Sequence, residues 1–314
     1  MKNLEKEKNF VSAVVYVHEN ASQVEKFLSL LLQVLKENFL YSEIICVNDG
    51  AKAEVSDAIR RISQSVQGVS ISALKMSSYH GTELSMTAGV DLAIGDFVFE
   101  FDSTMTDFSP EIIMEVYRLS LKGYDIVSAV PDASLSASSR LFYYLFDKFS
   151  SNSMTMRTER FRILSRRAIN RISSMNKTVP YRKAVYMNCG FPITSIEYTP
   201  IYATGHANTR EEKNYREKLA VDALLLFTDI GYRLAIGLTS MMMIIAILVG
   251  CYGVITYCAS SPVPGWTTII CFISFSFFAL FGILTIAVKY LQLILNLVFR
   301  RKQVRFEGIE KLTK

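Results

Sequence analysis

Between Leu234 and Val288 the chain runs for 55 residues without an Asp, Glu, Lys or Arg, and no other feature of the sequence constrains its fold as tightly. Such a run is too long for one membrane crossing and long enough for two. It is interrupted at residues 259–265, Ala-Ser-Ser-Pro-Val-Pro-Gly, where two prolines and a glycine break any helix. The predicted spans are therefore 234–258 and 266–288. At 1.5 Å of rise per residue each is roughly 34–37 Å long, enough to cross a hydrocarbon core of about 30 Å with some tilt. The loop between them has no Lys or Arg, whereas Arg233 precedes the first span and Lys289, Arg300, Arg301, Lys302 and Arg305 follow the second. The positive-inside rule then places both termini in the cytoplasm, with the chain as a multi-pass protein of the cell (inner) membrane. Trp266, the only tryptophan, stands where an interfacial anchor is expected. A helical hairpin buried in a large soluble core is the alternative, but such helices are usually shorter and broken by polar residues.

Outside this block the charge density is ordinary. The whole chain has 34 Lys and Arg against 29 Asp and Glu, a net charge of +5 that is too diffuse to argue for nucleic acid. Half of its residues are hydrophobic, which excludes a disordered or low-complexity protein. The start, MKNLEKEKNF, has no apolar stretch of the kind a cleavable secretory signal needs, so the polar part is expected to stay in the cytoplasm. Cys46, Cys189, Cys251, Cys258 and Cys271 form no C-x-x-C pair and read as buried thiols.

Residues 12–130 alternate short β-rich runs with longer helical patterns. Strands are predicted over 12–17, 43–47, 69–74, 96–101 and 124–130. The helices between them cover 24–35, a segment through Ile59 and Ile62, 81–93 and 110–121. That alternation predicts an α/β fold, a mostly parallel sheet covered by helices on both faces. Ligands on such sheets bind at the carboxyl ends of the strands, and here those ends carry His18-Glu19-Asn20, Asn48-Asp49-Gly50 and Asp102-Ser103-Thr104. Past Asp132 the pattern loosens. Residues 138–149, SSRLFYYLFDKF, and 214–233 are amphipathic; the first suits either a lipid interface or an ordinary surface helix, and the second runs into the first span.

The order Val-Asn-Asp-Gly-Ala (47–51), Gly81 with Ala88-Gly89, Ala93-Ile-Gly95-Asp96, Phe101-Asp102, Gly123-Tyr-Asp-Ile-Val127 and Phe161-Arg-Ile-Leu-Ser-Arg-Arg167 resembles family-two glycosyltransferases. Nearest in pattern is the branch that makes polyprenyl-phosphate sugars, similar to dolichyl-phosphate mannose synthases and bactoprenol glucosyltransferases, which also carries a two-span hairpin after its catalytic domain. The resemblance implies a GT-A domain over residues 1–210, a juxtamembrane amphipathic helix over 211–233, a transmembrane hairpin within 234–299 and a basic cytoplasmic tail over 300–314. It implies an inverting transfer of a sugar from a nucleotide-sugar donor to a polyprenyl phosphate, and partners limited to those two and a possible homo-oligomer. By the same resemblance Glu19, Asn48, Asp49 and Gly81 bind the nucleotide, and Asp102 and Arg162 are catalytic. A divalent metal, Mg or Mn, sits on Asp102 and Thr104, and Arg140, Arg210 and Lys213 attract the lipid phosphate. Lys148, Arg216 and Lys218 are further candidates for that attraction.

The sequence also departs from the family pattern. P-x-x-N-E becomes Tyr16-Val-His-Glu-Asn20, D-D-G becomes Asn48-Asp49-Gly50, and D-x-D becomes Asp102-Ser103-Thr104, which loses a metal carboxylate that Asp107 could replace. R-x-x-G-x-S-K becomes Tyr202-Ala-Thr-Gly205-His-Ala-Asn208, without either basic residue. All three histidines, His18, His80 and His206, fall in these loops; they either replace lost metal or phosphate contacts or are merely tolerated there. These departures keep a second function open, a catalytically degenerate relative that binds lipid phosphate or a partner enzyme.

Overall fold

The computed structural model describes residues 6–201 apart from 19, 133–136, 150–156, 175–180 and 188. It also describes 219–224 apart from 223, single helical positions between 237 and 294, and 306–311. The first half follows the predicted alternation: β1 (Glu7–Val17), α1 (Ala21–Asn38), β2 (Phe39–Asn48), α2 (Ala53–Ser65), β3 (Ser70–Met76), α3 (Thr82–Leu92), β4 (Phe97–Phe101), α4 (Glu111–Leu121) and β5 (Ile126–Pro131). After α5 (Ala137–Phe149) come β6 (Phe161–Ser165), α6 (Arg166–Ser174), α7 (Arg182–Met187), β7 (Ile193–Tyr198) and β8 (Phe306–Lys311).

Strand periodicity sorts the core into two layers. Val11, Ala13, Val15 and Val17 of β1 face Phe27, Leu28, Leu31 and Leu35 of α1 and Ile113 and Tyr117 of α4. The alternate residues Val14 and Tyr16 face the other way, in the layer that holds Met86 and Val90 of α3, Ile169 of α6 and Tyr186 of α7. Asn20, from the first polar turn, caps α1: its side-chain oxygen accepts from the Gln23 amide at 3.0 Å.

The sheet order is β7-β5-β6-β4-β1-β2-β3-β8. β1 pairs in parallel with β2 and β4, β2 with β3, and β5 with β7, while β6 and β8 run antiparallel to their neighbours. The expected mostly parallel α/β sheet is therefore present. Gly89 and Gly95 set two close approaches within it. A Cβ at Gly89 would lie 2.4 Å from a Val14 methyl and 2.6 Å from a Val47 methyl, so α3 rests directly on β1 and β2. A Cβ at Gly95 would lie 2.6 Å from the Ser12 backbone nitrogen, a collision with main chain that has little room to yield.

The predicted spans, 234–258 and 266–288, lie almost wholly outside the described residues; among the described residues no helix is long and apolar enough to cross a membrane. Of the stretch 211–233, residues 219–222 and 224 are described and are helical. Phe306–Lys311, inside the stretch expected as a basic tail, forms β8 along the free edge of β3, from Ser72↔Lys311 to Met76↔Phe306. An edge strand pairs through its backbone and needs no apolar run, which is why FEGIEK gives so little strand signal.

Deleting residues 306–314 should expose the β3 edge and remove several ladder hydrogen bonds, at about 1 kcal/mol each. We expect the melting temperature of the full-length protein to fall by roughly 5–10 °C in detergent; an unchanged transition would mean that β8 does not stabilise the sheet.

Candidate functional site

Beyond β1 the chain adds β2 and β3 on one side and β4 on the other, so a crevice opens at the carboxyl ends of these strands. Val15 is level with Cys46 of β2 and with Phe101 of β4. β4 ends level with Val15 and β2 level with Val17, so the turns that follow them lie at the same end of the sheet, offset by two residues along the strands and separated by β1. Each turn presents an aspartate, and the two are held very differently.

Asp49, after β2, is fully buried. The His80 amide donates to its Oδ1 at 2.8 Å, and the Gly81 amide and the Tyr16 hydroxyl donate to its Oδ2 at 2.8 and 3.1 Å. Gly81 has φ +81°, a conformation suited to glycine, and immediately precedes α3. The carboxylate thus sits at the positive end of that helix, which favours the charge. His18 completes the latch: its Nδ1 lies 3.0 Å from the Asp49 carbonyl, which only accepts, so Nδ1 carries the proton. Burial pushes the Tyr16 hydroxyl up, and Asp49 reinforces the shift, so this phenol remains a donor. Asn48 is buried as well; its Oδ1 accepts from the Ala51 amide at 2.9 Å and its Nδ2 donates to the Ser56 Oγ at 3.0 Å. The structure thus gathers Asn48, Asp49 and Gly81, three of the four predicted nucleotide residues, and uses their polar groups to hold the turn. Glu19 lies outside the described residues.

Asp102, after β4, is the exposed tip of a buried charged cluster. Arg162 of β6 donates to its Oδ2 at 2.8 Å and Arg182 of α7 to its Oδ1 at 2.5 Å. Both arginines also reach Glu100, at 3.1 and 3.0 Å, and the Tyr186 hydroxyl donates to Glu100 at 2.6 Å. Glu83 of α3 accepts from the Arg182 amide at 2.7 Å and its Nε at 3.1 Å, and Glu159 faces Arg162 and Lys183. The side chains of Glu100, Arg162 and Arg182 are 5% exposed or less, whereas that of Asp102 is 28% exposed. Burial works against ionisation of Asp102, but Arg182 and Arg162 outweigh it and hold the carboxyl below the usual range. Glu159 is likewise held low, burial being outweighed by Lys183 and Arg162. Glu83 goes the other way, because burial exceeds the pull of Arg182. Four carboxylates, Glu83, Glu100, Asp102 and Glu159, thus surround Arg162, Arg182 and Lys183, and Asp102 is the most exposed of the four.

That arrangement bears on a metal. The Thr104 side chain is buried, and Asp107 is taken by Arg160, whose Nε donates at 2.8 Å, and by the Tyr198 hydroxyl at 3.2 Å. Among the described residues no group of three or more His, Cys, Asp or Glu is placed to hold an ion. Among the described residues Asp102 alone remains, with a second lone pair on each oxygen. These residues fit a divalent cation that draws most of its ligands from a diphosphate and water. His18 and His80 both stand beside Asp49 instead, His80 Nδ1 at 3.8 Å from Oδ1, and His206 lies outside the described residues. Of the predicted lipid-phosphate residues, Arg140 is exposed on α5, and Arg210 and Lys213 lie outside the described residues.

Arg162 and Asp102, the two residues expected to be catalytic, are in contact; Glu83, Glu100, Glu159, Arg182, Lys183 and Tyr186 were not anticipated. Glu100 had a visible signal, a carboxylate inside the apolar run FVFEF, and Arg162 faces it in register across the β4–β6 ladder. Arg182→Ala should leave Glu83, Glu100 and Asp102 short of a cation and cost roughly 3–5 kcal/mol. Arg182→Lys should recover less than half, since an ammonium lacks the planar fork. Urea denaturation of both variants measures this, and a loss below about 1 kcal/mol for the alanine variant contradicts it.

No family model matches the chain. It is 27% identical over 192 residues to an uncharacterized glycosyltransferase of Synechocystis sp., a match covering 59% of each protein. The chain thus spans less than two thirds of that relative's length. It is 23% identical over 274 residues to the bactoprenol glucosyl transferase of Shigella phage SfV, covering 84% of this chain and 87% of that one. Among solved structures, a mannosyltransferase from Pyrobaculum calidifontis in complex with GDP-mannose and Mn2+ superposes with a TM-score of 0.51 at 13% identity, covering 88% of each chain, which shows a shared fold. The chain is therefore a glycosyltransferase homologue built on the GT-A fold, similar in sequence to bactoprenol glucosyl transferases.

Proposed function

We propose that the chain, anchored in a membrane by its apolar block, transfers a sugar from a nucleotide-sugar donor to a polyprenyl phosphate with inversion at the anomeric carbon. The observation that carries this reading is the accessible Asp102 carboxylate, kept ionised by two buried arginines at the end of β4, at the same end of the sheet as the Asp49 turn. A phosphate oxygen of the acceptor attacks the anomeric carbon from the face opposite the leaving group. The new bond is carbon to phosphate oxygen; the bond to the nucleoside diphosphate breaks and its electron pair leaves on the diphosphate. The acceptor oxygen is already an anion, so no proton has to be removed. A divalent cation on Asp102 and the diphosphate would offset the charge that gathers on the leaving group. Arg162 and Arg182 keep Asp102 ionised and aim it, and Glu100, Glu83 and Tyr186 hold those arginines in place.

Two features support a membrane acceptor. Met241, Ile244, Ile269, Leu280, Leu291 and Ile294 are helical, apolar and 41–59% exposed. Leu224 packs against α5 and residues 306–311 pair with β3, so a membrane-spanning block between them would cross an even number of times. The flanking Lys and Arg assign that side to the cytoplasm. Helix α5 fits the same surface: Leu141 and Tyr144 are each 59% exposed beside the exposed Arg140 and Lys148. Its inner residues Phe142, Tyr143 and Phe146 pack with Ala184 of α7 and with Leu224, next to the helix that carries Arg182.

A second reading, a non-catalytic binder, rests on a specific observation: both Asp102 oxygens already hold an arginine, and a buried threonine stands where a second carboxylate would be. One experiment separates the two. The full chain, in membranes supplied with polyprenyl phosphate and a panel of UDP- and GDP-sugars with Mg2+ or Mn2+, should release nucleoside diphosphate. Asp102→Asn should lower the rate by about 100-fold or more. No turnover with any donor, together with no nucleotide binding, would favour the binder.

A further inference from the structure

Asp49 marks the nucleotide end of the crevice, yet it is fully buried and three donors already occupy its two oxygens. Asn48 is also buried, with its amide spent on Ala51 and Ser56. Both are shut off from the surface of the crevice, so neither meets a ligand unless the turn moves. What lies open at this end is aromatic.

Tyr79, in the loop between β3 and α3, is 43% exposed. Its ring lies 5.3 Å from that of His18, and His18 lies 6.2 Å from the buried Tyr16, so three rings run from the core to the surface. The loop is fastened on both sides of the exposed ring. The His80 amide is bonded to Asp49, the His80 imidazole nitrogen to the Ser78 carbonyl, and a Cβ on Gly50 would sit 3.9 Å from the Tyr79 nitrogen. The position is distinctive. Among the described residues the other exposed tyrosines are Tyr41 near the amino end of β2, Tyr124 just before β5, and Tyr144 on α5. An ordered aromatic face at the carboxyl ends of the strands, over a turn whose polar groups are already spent, suits a flat heterocycle. Stacking needs only that face and accepts any base.

We propose that Tyr79, backed by His18, is the surface on which the donor's nucleobase stacks, while Asp49 holds the turn and does not read the base. This rests on the nucleotide-sugar reading above. The test is calorimetric titration of the full-length protein in detergent with UDP, GDP, CDP and ADP, and with inorganic pyrophosphate as a probe that has no base. Tyr79→Ala should weaken the tightest nucleoside diphosphate by roughly 5- to 100-fold and leave pyrophosphate unchanged. Tyr79→Phe should bind like the parent. Equal affinity in Tyr79→Ala and the parent would overturn the proposal, as would an equal loss for pyrophosphate, which would mean that the ring acts only through the loop. Failure of the parent to bind any nucleoside diphosphate would overturn the nucleotide-sugar reading itself, a result distinct from either.

Discussion

Two guanidiniums, Arg162 and Arg182, hold the working end of this domain together. They meet at Glu100 and Asp102 from β6 and from α7, and α3 joins them through Glu83. Taking so many charges out of water costs several kcal/mol per ion, recovered only when each fork finds its carboxylates. The cluster is therefore an all-or-none junction. Four elements far apart in sequence must be in place together, and when they are, one carboxylate is left facing the crevice with its charge fixed.

The two aspartates of the crevice show how the same side chain serves opposite ends. Asp49 is internal to the fold: it ties the end of β2 to the loop before α3 and occupies the positive terminus of that helix. Asp102 is tied only from behind, by arginines, and keeps its front accessible. Rigidity at the first site and accessibility at the second suit a crevice in which one side positions a ligand and the other meets its charge.

Much of this architecture could be read from the chain. Strand and helix periods located β1 to β5 and α1 to α4 to within a few residues, because buried parallel strands leave continuous apolar runs. Gly89 and Gly95 stood out in the motif order, and the structure gives their reason as close approaches. The turns bearing Asp49 and Asp102 were visible because charge interrupts those runs. What stayed hidden was pairing across distance. Glu83 and Arg182 are 99 residues apart, and nothing local in either segment names the other. The engagement of Asp49 was equally illegible, since a free acidic turn and a satisfied one have the same letters. β8 escaped because its evidence is a backbone edge and not a side-chain pattern.

That last strand sets the order in which the domain can be completed. β3 leaves the ribosome more than two hundred residues before its antiparallel neighbour, and the whole apolar block lies between them. During synthesis the β3 edge must wait, unpaired, until residues 306–311 emerge. A nascent chain of this kind can have its crevice built while its flank is still open, and closure of that flank reports that everything upstream has been made.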